Sequence, residues 1–138
     1  MKSSTDIRTQ EHPNATVLRR TYDAYVTKDF DTLKAVFAPN LTWHVSGKSG
    51  VSGDYQGIDE VLDYFRRTIA DTAETLKVEA QGFLGGDNYG AILLHVTASR
   101  QGKKLDDDQM LVGKIRDGRV TEMWQTSTNQ QASDEFWS

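Results

Sequence analysis

Apolar residues recur at a helical period in the first half of this chain and at a strand period in the second. Pro13 suits the first turn of a helix, and Leu18, Tyr22, Tyr25 and Val26 follow at helical spacing. Asp29 can cap a second, short helix in which Phe30, Leu33, Val36 and Phe37 form one stripe, stopped by Pro39-Asn40. Leu41-Thr42-Trp43-His44-Val45 is β-rich and predicts a strand. The glycines at 47, 50 and 53 predict a loop. A third helix is predicted from Ile58, burying Val61, Leu62, Phe65 and Ile69.

From Leu76 the period becomes two. Leu76, Val78, Ala80 and Gly82 share one face and Lys77, Glu79 and Gln81 the other. Turns are predicted at 85–88, at Gln101-Gly102 and at Asp117-Gly118, the last a strong two-residue hairpin signal. They separate strands at 89–100, 105–116 and 120–128, ahead of a tail ending Phe136-Trp137. Consecutive strands joined by tight turns make an antiparallel meander with the helices on one face. The expected fold is α+β: three N-terminal helices packed on a curved, mainly antiparallel sheet that encloses a pocket.

Composition narrows this picture. The 138 residues suit one domain, read as 13–138 behind a flexible N-terminus, 1–12. Such a domain hides roughly 68–70% of the surface its unfolded chain exposes, enough for one real core. A net charge of −4, with the basic residues dispersed, argues against a nucleic-acid partner. Without cysteine there is neither a disulfide framework nor a thiol nucleophile. Apolar runs of four, such as Ala91-Ile92-Leu93-Leu94, are far short of a membrane span, and the polar start lacks a secretory stretch. A cytoplasmic protein with no membrane partner is expected.

At this point several motifs, in order, resemble those of the nuclear-transport-factor-two-like superfamily, in its SnoaL-like, ketosteroid-isomerase-like branch. They are Tyr22-Asp23-Ala24-Tyr25 with Asp29-Phe30-Asp31-Thr32-Leu33, then Leu41 to Gly47, the Ser52-to-Gly57 loop, Arg116 to Trp124, and the Asp134-Glu135-Phe136-Trp137 ending. The resemblance covers 13–137 and implies a conical, cystatin-like roll, commonly a homodimer, with a pocket between sheet and helices. It implies no single activity, since such folds host isomerases, polyketide cyclases, epoxide hydrolases and proteins without chemistry.

The candidate chemistry is weighed position by position. His44 matches the position of the isomerases' general-base carboxylate, and its strand parity groups it with Thr42 and Ser46, opposite Trp43. An imidazole near its ordinary pKa of about 6.5 can move a proton at neutral pH. The strand face Asp107-Gln109-Leu111-Gly113 is expected toward the pocket, its parity depending on turn placement; there Leu111 matches the isomerases' oxyanion-stabilising acid and cannot donate a hydrogen bond, whereas Gln109 can. Gln125 stands where the epoxide hydrolases carry a carboxylate; an amide can orient an oxygen but cannot act as a base. Tyr55 follows the glycine-rich loop and can reach the pocket mouth. Phe37, Val51, Phe65, Leu111 and Met123 are expected to supply apolar walls, with Trp43, Trp124, Tyr22 and Tyr25 as packing residues.

His12, His44 and His95 lack ligand spacing, and Asp106-Asp107-Asp108 reads as a solvated strand start, so no metal is expected. No phosphate loop or dinucleotide fingerprint is present, and no cofactor is expected. The reading is a pocket for a small, largely apolar molecule, with acid–base chemistry on a carbonyl compound through His44 and Gln125 or Gln109. The alternative is a non-catalytic ligand-sensing or protein-association module. A homodimer through the outer sheet face is expected in either case.

Overall fold

The helical period of the N-terminal half becomes α1 (Pro13–Val26), α2 (Phe30–Val36) and α3 (Gly57–Asp71) in the computed structural model, which describes residues 11–138. Residues 1–10 of the expected flexible N-terminus lie outside the described residues. His12 caps α1 by accepting from the Asn14 backbone N–H at 3.0 Å, with Pro13 at the first helical position. Asp29 caps α2 through the Thr32 N–H at 3.1 Å. On α3, Val61, Leu62, Tyr64, Phe65 and Thr68 form the buried face.

Six strands form one sheet in the order β2-β1-β6-β5-β4-β3: β1 (Phe37–Val45), β2 (Gly53–Gln56), β3 (Lys77–Gly85), β4 (Tyr89–Arg100), β5 (Lys103–Arg116) and β6 (Arg119–Ser127). All neighbours are antiparallel except β1 and β6, which run parallel. The β5–β6 turn is carried by Asp117 and Gly118, both at positive φ, 52° and 77°, as a two-residue hairpin of this twist requires. Register shifts interrupt β3–β4, β5–β6 and β1–β6; irregularities of this kind bend and twist a strand, and here they go with the curl of the sheet.

Three helices were expected, and a fourth is present. Residues read as a tail form α4 (Gln130–Trp137), capped by the Asn129 side chain on the Ala132 N–H and anchored by the buried Phe136. It packs against β5 and β6, while α1 covers β3 and β4, and α3 covers β1 and β2. Gly47, in the left-handed region at φ +98°, lies so close to Gln130 and Asp134 of α4 that a Cβ there would collide with both.

Candidate binding site

Between the concave face of the sheet and the helices lies a cavity of about 100 Å³. Its wall is apolar and aromatic over most of its extent, with Tyr22, Tyr25, Phe65, Ile92, Leu94 and Val96 among the contributors. One corner is polar, where Gln109 of β5 and Gln125 of β6 lie on adjacent strands beside Trp43 and Tyr64. The loop before β2 closes another side. Its serines fold it: the Ser52 hydroxyl donates to the Ser46 carbonyl at 2.9 Å and accepts the Ser49 N–H at 3.0 Å, which turns Val51 inward.

The polar corner is one connected chain. Trp43 Nε1 and the Tyr64 hydroxyl both donate to Gln125 Oε1, at 3.0 and 3.1 Å. Gln125 Nε2 donates to Gln109 Oε1 at 3.1 Å, and Gln109 Nε2 donates to Asp107 Oδ2 at 3.2 Å. Ser127 donates to the same carboxylate oxygen at 2.6 Å. Asp107 Oδ1 is buried without a hydrogen-bond partner among the described residues. Burial pushes the Tyr64 phenol well above its ordinary range and the Tyr25 phenol up to about 12, so both rings stay neutral donors.

Of the residues singled out from sequence, Gln109, Gln125, Val51, Phe65 and Leu111 line the cavity. Phe37 and Met123 lie behind the wall as fully buried core. Tyr55 stays outside the cavity; its hydroxyl donates to the Val51 carbonyl at 2.7 Å and accepts from Arg67, and its ring stacks on Tyr64 at 4.6 Å. Tyr22 and Tyr25 are wall residues as well as packing residues.

His44 is on the opposite face, which corrects the face of β1 expected to meet the pocket. The alternation is as read, but Leu41, Trp43 and Val45 turn inward and His44 turns out. The larger, more apolar indole takes the interior. On the outer face His44 stacks on Trp124 at 5.6 Å and is held by two carboxylates, Nδ1 to Asp54 at 2.7 Å and Nε2 to Glu122 at 2.6 Å. With both nitrogens engaged it is a staple across β2, β1 and β6 rather than a base for a ligand in the cavity. Asp107, expected on a solvated strand start, is corrected too: it points inward with Leu105, Gln109 and Leu111.

His44 makes stability pH-dependent. The hydrogen bond to Asp54 raises its pKa above 6.5, partial burial opposes this, and Glu122 reinforces it. The folded protein therefore holds this proton more tightly than the unfolded chain. The resulting stabilisation is complete below pH about 6.5 and is lost as pH rises through the folded value. Thermal melts from acid to alkaline pH should show the wild type losing stability relative to His44→Ala above that point; parallel curves would remove the staple.

The SnoaL-like domain pattern matches residues 18–123, more than half of the chain. This chain belongs to the SnoaL-like domain family. Its fold is the cystatin-like α+β roll of that family. Bal32a, from a soil-derived mobile gene cassette, is 32% identical with a TM-score of 0.87, covering 91% of this chain and 97% of that one. An uncharacterised protein of Mycobacterium tuberculosis is 28% identical over 88% of this chain and 94% of its own. TerC, crystallised with polyporic acid, shares the fold at a TM-score of 0.78 and 16% identity, covering 91% and 98%. Among the described residues of this SnoaL-like domain no helix is long and apolar enough to cross a membrane.

What sequence reasoning missed in the SnoaL-like domain is Asp107, Trp43 and Tyr64 as members of one chain. The alternation Asp107, Gln109, Leu111 did place the aspartate on the face of two cavity residues, but gave it no role there. The pairing of Trp43 with Gln125, 82 positions apart, had no local signal.

Proposed function

We propose that this SnoaL-like domain binds a small, largely apolar organic molecule with one polar group. The observation that carries this is the form of the cavity, apolar on nearly every side with convergent amides in one corner. That TerC, which shares the fold, was co-crystallised with polyporic acid supports an organic molecule as the occupant. The test is a side-chain and backbone NMR titration with a library of small apolar carbonyl compounds. Shifts clustered on Gln109, Gln125, Trp43 and Val51 are expected, and they should vanish in Leu111→Trp, which fills the cavity. Shifts confined to the outer face would refute the reading.

We also propose that a second copy of the chain covers the outer sheet face. Leu84, Tyr89, Leu93 and Met110 are exposed there beside Trp124 and Val112. The outward residues of β5 read Asp106, Asp108, Met110, Val112, Lys114, Arg116. A two-fold axis across the strands at Met110–Val112 sets Asp108 against Lys114 and Asp106 against Arg116, which makes the face self-complementary. Sedimentation should give a dimer that Leu93→Lys converts to monomer; a wild-type monomer at tens of micromolar defeats this.

A further inference from the structure

The polar corner has a direction. Trp43 Nε1 can only donate, and a carboxylate can only accept. Between these ends the two glutamine amides have one consistent arrangement, head to tail from Trp43 through Gln125 and Gln109 to Asp107. Gln125 Oε1 already accepts from both Trp43 and Tyr64, and Gln109 Oε1 accepts from Gln125. What the amides have left is one N–H each, which makes no hydrogen bond among the described residues, against a single lone pair on Gln109 Oε1. The corner is therefore biased toward donating.

Resting on the reading of the cavity as a ligand site, we propose that it takes carbonyl compounds of a single ring or smaller. The carbonyl oxygen is seated on the free N–H groups of Gln109 and Gln125. Asp107, buried at 5% exposure and outside the cavity wall, is a positioning residue that keeps those groups turned to the ligand. Its Oδ2 takes the other Gln109 N–H and is itself fixed by Ser127. Remove that acceptor, and the Gln109 amide is free to turn its oxygen toward the cavity.

Size and polarity follow from the same geometry. A cavity of about 150 Å³ lined by aliphatic and aromatic residues accommodates benzene, and this one measures about 100 Å³. Multi-ring ligands would have to displace Tyr25, Trp43 or Phe65, which pack edge to face at 5.1 Å. A carbonyl oxygen uses the two N–H groups and brings no hydrogen of its own. An alcohol brings an O–H for which the only amide acceptor left is the second lone pair of Gln109 Oε1, since Gln125 Oε1 is already doubly occupied.

The experiment compares cyclopentanone, cyclopentanol, methylcyclopentane and the three-ring fluorenone by NMR titration. The wild type, Asp107→Asn, Asp107→Leu and Gln109→Met are each measured. Cyclopentanone should bind the wild type at least about tenfold more tightly than cyclopentanol, shifting the Gln109 and Gln125 side-chain N–H signals. Asp107→Asn keeps an oxygen for Gln109 and Ser127 and should retain that ratio. Asp107→Leu should bring it close to one while methylcyclopentane binds as before, and if that variant does not fold, Gln109→Met should give the same collapse. An unchanged ratio in either variant, a wild-type ratio near one, loss of the ratio in Asp107→Asn, or tight fluorenone binding overturns the proposal. If even methylcyclopentane fails to bind, the reading of the cavity as a ligand site fails with it.

Discussion

Phe37→Ala should lower stability by about 3–5 kcal/mol, the largest single effect expected in this domain. Phe37 ends α2 and begins β1, with none of its surface exposed. Its ring meets Trp43 edge-on at 6.0 Å and Phe65 at 6.4 Å, so it supports two wall residues from behind. Truncation removes the apolar transfer term and leaves a void that backbone on both sides prevents from collapsing. Urea unfolding checks the number. A midpoint shift worth less than about 1 kcal/mol would mean that the cavity and the core behind it relax together. Ligand affinity should fall as well, because Trp43 and Phe65 lose their support.

Gln125→Leu should cost about 2–5 kcal/mol although it exchanges a polar group for an apolar one of similar size. The substitution strands Trp43 Nε1, the Tyr64 hydroxyl and Gln109 Oε1 at once. A buried donor or acceptor left without a partner costs about 1–3 kcal/mol, and partial relief by water entering the cavity lowers the sum. Tyr64 stays neutral at ordinary pH, raised by its burial, so it cannot ionise to escape. The paired control is Gln125→Leu with Tyr64→Phe, which removes one stranded group and should recover part of the loss. If the double variant is no more stable than the single one, the chain contributes nothing through Tyr64. Denaturation read by tryptophan fluorescence follows both variants, since Trp43 is the reporter nearest the change.

The two substitutions meet at Trp43, one through packing and one through polar satisfaction. Phe37→Ala damages the shape of the site, whereas Gln125→Leu removes what gives it a preferred ligand orientation. The His44 staple makes its hydrogen bonds to Asp54 and Glu122 on the outer face, so its pH dependence should persist in either background.

Much of this architecture was legible in the sequence because the physical signals are local. A period near 3.6 placed α1, α2 and α3, and a period of two with turn residues at 101–102 and 117–118 placed β4, β5 and β6. Gln109, Leu111 and Gln125 could be put on one side of the sheet because alternation along a single strand needs no partner. Alternation held on β1 as well, but it does not say which of the two faces turns inward. Trp43 and His44 compete for the interior there, and only the packing of the indole against Phe37 and Phe65 decides between them. Asp107 sits between two charged residues in sequence, Asp106 and Asp108, which face solvent while it faces the core. A strand alternates, so adjacent identical residues can have opposite environments. The sequence by itself determined α1 to α3, the meander from β3 to β6 and the α+β class, because these rest on neighbours in the chain, whereas α4 and β2 did not show in it. The polar chain from Trp43 to Asp107 and the dimensions of the cavity were decided by tertiary structure alone, because hydrogen bonds across three strands depend on register and curl.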